Sequence, residues 1–404
     1  MVINRPDPKY PRRGPSCMFV LFIAVGIFFG VFIIQNNEDA RDFIFPTPTP
    51  EPTRSATEYA VLAEISQNEG ELEEALGYYA EAIRLDASNP EIFIRYINLL
   101  VKTGNSEEAV ARGEEAVVLA PDNDAVWTAV AQAHLANGER LIDAGDPNAA
   151  NLEYAKANQA GKSALDINPG NATAMAFAAG GLVSQGDPNF YLDAQLLAED
   201  ALAVEPNNPW AHYYLAEALT NQAYYDPARD HYLLGIQADN TLPELHIGLA
   251  YNFFGDGRVS EAILSFQDAI DVDPTNAKAY DGLAYMYLQL GQDVQAEDNA
   301  ILSVELNPNV ARAHGRLGEA YMRNNKFDLA IQEFSAAVNL YGEATPINAR
   351  FFYLLADAYV RAGLENCEQA VPLFQAVSEV STFYAESSQE QLVECRRASL
   401  ESSP

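Results

Sequence analysis

PELHIGLAYNFFGDGRVSEAILSFQDAIDVDPTN (residues 243–276) runs directly into AKAYDGLAYMYLQLGQDVQAEDNAILSVELNPNV (277–310), and the two stretches of 34 residues match position for position. Leu249 pairs with Leu283, Ala250 with Ala284, Phe253 with Tyr287, Gly257 with Gly291, Ala262 with Ala296 and Pro274 with Pro308. The pattern has a physical reading. Small residues such as Ala250, Ala262 and Ala269 let two antiparallel helices approach closely, while Phe253 and Phe266 fill the wider gaps at helical spacing. Gly257 allows the short turn between the helices. Pro274 stops the second helix, because it lacks an N–H and clashes with the preceding turn. One such hairpin cannot cover its own apolar face, so the units must stack.

The order of large residue, Leu, small residue, Tyr, Gly, Ala, Phe, Ala and Pro resembles the tetratricopeptide repeat (TPR). The resemblance implies an all-α solenoid whose first helices line a concave surface that receives an extended peptide or a partner helix. Carried along the chain, the frame gives nine units beginning near Ala56, Pro90, Asp124, Ala172, Pro209, Pro243, Ala277, Ala311 and Ala349. They occupy residues 56–385, followed over 386–404 by a more polar helical stretch that reads as the capping helix a solenoid needs, and a tail. The frame has departures. An insertion around GERLIDAGDPNAANLEYA lengthens both helices of the third unit at one end, and Ala87 replaces the closing Pro of the first. Gly113, Gly161 and Ala198 stand where the pattern wants Phe or Tyr, which predicts thinner packing in the early units.

Projecting the concave positions of each unit singles out Trp210, Tyr213, Tyr251, Phe254 and Tyr285, then Arg312 and Arg323, and beyond them Arg350 and Arg361. Aromatic and arginine side chains are the types that interface hot spots favour, which makes this the candidate surface for protein or peptide segments. The competing reading has the aromatics packing between repeats and the arginines balancing local acid. Arg312 with Arg316 resembles half of the carboxylate clamp with which some TPR domains hold a peptide C-terminus. The Lys and Asn of the other half are missing, their places taken by Ile247, Tyr251 and Gly282.

Upstream of the repeats, Cys17 to Ile34 is an apolar run of 18 residues, about 27 Å long as a helix, the thickness of a bilayer core. A cleavable signal has a shorter apolar region and a small-residue cleavage site, whereas this run exits through FIIQNNEDARDF, so residues 17–35 read as a retained transmembrane helix. Arg5, Lys9, Arg12 and Arg13 precede it, and Arg41 and Arg54 follow. That bias places the tail 1–16 in the cytoplasm and the repeats outside it, at the cell membrane in a single pass. Gly26 and Gly30 form a G-x-x-x-G pair through which two helices would dimerise. The linker 36–55 is acidic, then alternates Thr with Pro46, Pro48, Pro50 and Pro52, a semi-rigid spacer by composition.

The formal net charge of −33 excludes the basic stripe that nucleic-acid binding needs, so no nucleic-acid partner is expected. Most of the excess acid lies in residues 36–310, with a net charge of −32 against −4 for 311–404, and reads first as a solvated face and second as an attraction for cationic partners. His212, His246 and His314 share one repeat position in separate units, without a second ligand at i+4, so neither a metal nor another cofactor is expected. GDGR and two GDP triplets fall in turns with no preceding strand, and nucleophile or zinc-protease motifs are missing. Cys367 and Cys395 lie 28 residues apart around a turn at Ser381, at neighbouring ends of an antiparallel helix pair. They read as a disulfide, or else as two thiols packed as small apolar groups. The sum is a non-catalytic interaction scaffold; the alternative is a self-associating structural component of a cell-envelope assembly. An enzymatic role would belong to a partner.

Overall fold

The computed structural model describes residues 17–36 and 54–401, without the side chains beyond 397. The basic tail and the Thr/Pro spacer lie outside the described residues. Helix α1 (Cys17–Asn36) is long and apolar enough to cross a membrane, and its apolar side chains are exposed along its length. Nothing approaches within 4 Å of a Cβ placed on Gly26 or Gly30.

The second body, from Ala56 onward, is all helical. Its first three hairpins are α2/α3 (Ala56–Glu69, Leu72–Leu85), α4/α5 (Pro90–Lys102, Ser106–Leu119) and the lengthened α6/α7 (Asp124–Asp143, Pro147–Ile167). Then come α8/α9 (Ala172–Val183, Tyr191–Val204), α10/α11 (Pro209–Asn221, Tyr225–Ala238) and α12/α13 (Pro243–Gly255, Val259–Val272). The last three are α14/α15 (Ala277–Leu290, Asp293–Leu306), α16/α17 (Ala311–Arg323, Phe327–Tyr341) and α18/α19 (Ala349–Ala362, Cys367–Val380). A final helix, α20 (Thr382–Glu401), starts after the single extended residue Ser381, four residues before the boundary drawn from sequence.

Local chemistry sets these boundaries. Asn89, Asn123, Asn171, Asn208 and Asn276 each precede the first helix of a unit and accept a hydrogen bond from a first-turn N–H, a cap worth about 1 kcal/mol. Pro90, Pro209 and Pro243 occupy first-turn positions, where a missing N–H costs nothing. Gly257 (φ 77°) and Gly291 (φ 67°) take the left-handed turn between helices. Fully buried alanines recur in every unit of the core, with Tyr79, Phe93, Tyr232, Phe266, Phe334 and Phe374 filling the gaps. Thinner packing at the early glycines is not what forms. A Cβ on Gly161 would lie 2.7 Å from the Ala178 Cβ and 2.9 Å from the Ala174 carbonyl oxygen, and one on Gly113 would lie 2.9 Å from Val130. The backbones close the space that an aromatic ring would have filled.

Candidate functional site

The repeat body curls until its third unit meets its seventh and eighth. Lys278 Nζ at the start of α14 lies 3.1 Å from Glu139 on α6, and Arg312 on α16 lies 3.2 Å from Asp143. Tyr341 packs where a side chain on Gly145 would otherwise stand. These side-chain contacts bridge the concave face into a partly open lumen, with cavities of about 440 and 370 Å³ that share Asp143, Asn307 and Val310.

One wall of the lumen is charged, and Asp281 on α14 organises it. Its carboxylate is 2% exposed and receives Arg312 Nε at 3.0 Å and Arg316 Nη1 at 2.5 Å. Arg316 also donates to the Asp281 carbonyl at 2.7 Å and lies over the Tyr285 ring, 4.6 Å from its centroid. Asp281 and then Tyr251 and Asp143 hold the Arg312 guanidinium more firmly protonated than usual, against the cost of burial. Glu139 is the main reason that Lys278 is likewise pushed up. Arg323 donates to the Leu288 carbonyl at 2.8 Å and to Glu319 at 3.1 Å, Arg350 reaches Glu319 at 2.6 Å, and Arg361 reaches Asp357 at 2.8 Å. The guanidinium groups that a carboxylate clamp would use are thus already held by the protein's own acids.

The opposite wall is aromatic. Trp210 stacks on Tyr214 with centroids 6.2 Å apart and meets Tyr213 edge-on at 6.0 Å, while Phe177 closes the group 5.6 Å from Trp210. Tyr213 is 9% exposed and Trp210 is partly exposed to the smaller cavity. Tyr251 sits edge-on to Phe266 at 5.1 Å, and Phe254 edge-on to Tyr285 at 5.4 Å, so these rings are half-used by packing between helices. Burial drives the Tyr213 and Tyr214 phenols up, and pushes the nearby Glu217 carboxyl up to about 6.

Several lumen residues were not singled out from sequence: Phe177, Tyr214, Glu139 and Glu244. Glu244 occupies the second position of its unit, as do Trp210, Lys278, Arg312 and Arg350. A carboxylate in a row of aromatics and cations was the signal that would have found it.

The three aligned histidines lie between helices of their own units. His314 Nδ1 pairs with Glu333 at 2.6 Å and His212 Nδ1 with His231 at 3.1 Å, each partner 19 residues on; His246 Nδ1 is buried without a partner. Among the described residues no group of three or more His, Cys, Asp or Glu is placed to hold a metal ion. Cys367, at the start of α19, is joined to Cys395 on α20, with Cα atoms 5.4 Å apart.

Models of the tetratricopeptide repeat match residues 68–133, 265–298, 296–346 and 316–378. Among solved structures the fold is similar to the human IFIT1 dimer with PPP-AAAA, at 18% identity and a TM-score of 0.60, covering 87% of this chain and 91% of that one. A monomeric mutant of IFIT1 with Gppp-AAAA is similar at 17% identity and a TM-score of 0.61, covering 92% and 88%. At these identities the likeness is one of fold. A human zinc finger C3H1 domain-containing protein is 40% identical over 68 residues, a match that spans 16% of this chain and 3% of that protein.

Proposed function

The chain is a tetratricopeptide repeat protein, and on that premise we propose a non-catalytic scaffold, held at the membrane by α1 with its repeats outside the cytoplasm, that captures protein segments in its lumen. The observation that carries this reading is the partly open aromatic wall around Trp210 and Tyr213, facing a cavity of about 370 Å³. Rings of this kind supply contact area at low entropic cost, and partner segments use them as anchoring points. The exposed apolar surface of α1, the excess of Lys and Arg before it, and the Cys367–Cys395 bridge all fit an anchored protein facing an oxidising compartment.

Human IFIT1 was solved with PPP-AAAA, a ligand rich in phosphate. This chain carries a net charge of −33, and carboxylates line its lumen, which weighs for a protein segment over a polyanion.

A photo-crosslinking residue in place of Tyr251 tests the reading in cells. It is expected to capture a discrete set of proteins, whereas the same probe at Val118, which is 81% exposed on α5, captures none of them. Equal capture at the two positions, or none at Tyr251, would sink the scaffold reading. Protease added to intact cells should digest the repeats; protection until the membrane is opened would reverse the orientation.

A further inference from the structure

The lumen reading says nothing of what a captured segment must present, and the inference below rests on that reading. Three carboxylates border the smaller cavity: Glu139, Asp143 and Glu244. Two are already matched, Glu139 by Lys278 at 3.1 Å and Asp143 by Arg312 at 3.2 Å. The cation on the same lining, Arg140, donates to Asn137 at 3.0 Å and reaches toward Glu107. Glu244 has no cation within ion-pair distance; burial pushes its carboxyl up, and only a hydrogen bond from its own backbone N–H and the more distant Lys278 act the other way. Its Oε2 is shielded from solvent and has no hydrogen-bond partner. An unmatched carboxylate in a place of this kind costs stability, and a cation brought beside it recovers the cost.

The rest of the wall selects for the same charge. Trp210, Tyr213, Tyr214 and Phe177 cluster at centroid distances between 4.9 and 6.4 Å. Aromatic faces carry the negative end of the ring quadrupole and attract ammonium and guanidinium groups, more strongly when these are desolvated. Aromatic rings beside an unmatched carboxylate make a receptor for a cation. An incoming carboxylate or phosphate would add a like charge beside Glu244, and an apolar side chain would leave that charge unmatched.

We propose that the cavity between Trp210 and Glu244 receives a lysine or arginine side chain of the captured segment, its charge beside the Glu244 carboxylate and its stem against the rings. The partner is therefore a protein segment with an accessible basic residue.

The full chain in detergent micelles tests this by fluorescence anisotropy, with two labelled Gly/Ser decapeptides that differ only in a central Lys-Arg pair or a norleucine pair. The basic peptide should bind about tenfold more tightly or better. Glu244→Gln should erase that preference without lowering the melting temperature, since it removes a buried, unmatched charge. A second readout needs no variant: raising salt from about 50 to about 500 mM should weaken the basic peptide and leave the norleucine peptide unchanged. Equal binding of the two peptides, tighter binding of the norleucine peptide, no binding of either, or a preference that survives Glu244→Gln would each overturn the proposal. Protein capture at Tyr251 would stand under any of those outcomes. The lumen reading itself fails if Tyr251 captures nothing, or no more than Val118 does.

Discussion

Two walls of one lumen, built from the same repeat positions, use their residues in opposite ways. On the charged wall, from the seventh unit to the ninth, Lys278, Arg312, Arg316, Arg323 and Arg350 all face partners supplied by the fold. On the aromatic wall, from the fourth unit to the sixth, the rings touch one another and Glu244 is left unmatched. Arginine in a groove is hot-spot material only while its charge is unspent. Here Arg316, Arg323 and Arg350 are held by groups of their own or the preceding unit and Arg312 also by Asp143 across the lumen, so the proposed partner surface is the aromatic wall with its acid.

The comparison is broken most directly at Asp281. If the arginines belong to the fold, Asp281→Ala removes the buried carboxylate that two guanidiniums share, leaving Arg312 to Asp143 and Arg316 to the main-chain carbonyl of residue 281, and should cost about 3 kcal/mol. Denaturant unfolding of the full chain measures it. A loss near zero, together with new affinity for acidic peptides, would mean that the charged wall is a binding surface after all.

The aromatic wall rests on close packing. A Cβ on Gly180 would lie 2.6 Å from Cε1 and Cζ of Tyr214, so Gly180→Ala must displace the ring that stacks on Trp210. The expected loss is about 1–3 kcal/mol, with a change in tryptophan fluorescence. The same change at Gly257, where nothing lies within 4 Å, removes no packing and acts only through its φ of 77°, so its fluorescence should stay that of the parent. A fluorescence change of equal size from both variants would contradict the packing account.

The period of 34, the turn glycines and the Asn and Pro boundaries are local features, and the starts of α4, α6, α8, α10, α12 and α14 follow from them; the neighbouring cysteines followed from the antiparallel hairpin. Closure of the lumen is not local. Arg312 and Asp143 are 169 residues apart, Lys278 and Glu139 are 139 apart, and no periodicity reports how far a solenoid curls. That is why Arg312 looks available in the sequence; Arg316 and Arg323 are held closer to home, by Asp281, Glu319 and the Leu288 carbonyl. Tyr213 is a second case: its repeat position faces inward, but it is 9% exposed, with Trp210, Tyr214 and Tyr232 packed around it. Glu244 was within reach of the positional projection, yet a hot-spot criterion that selects rings and arginines passes over a carboxylate.

Histidines at one repeat position extend the contrast to pH. Beside His231, His212 has its pKa lowered by burial; the hydrogen bond to Glu333 is the main reason that of His314 is raised. For His212 the unfolded chain binds more protons, so its contribution is present above the unfolded value of about 6.5 and lost as pH falls toward the folded one. His314 works the other way, its contribution fully present below about 6.5 and lost as pH rises through the folded value. Acidification should therefore narrow the stability advantage of the parent over His212→Gln and widen its advantage over His314→Gln. Melting curves of the three proteins across that range decide it, and parallel pH profiles would remove the contrast.

The smallest effect lies in the turns. Units five and eight, near the middle of each wall, place Ala223 (φ 62°) and Asn325 (φ 58°) where the equivalent turns of units six and seven use Gly257 and Gly291. The left-handed conformation costs an alanine about 1–2 kcal/mol through its Cβ, and asparagine less, because its side chain bonds locally to the backbone. Glycine removes that strain but returns about 0.4–1 kcal/mol of it through the freedom of the unfolded chain. Ala223→Gly should therefore stabilise by about 0.5 kcal/mol, and Asn325→Gly by nearly nothing. Equal gains in paired thermal melts would show that asparagine has no advantage at this turn. A loss at Ala223 would mean that its methyl group packs in a way that offsets the strain.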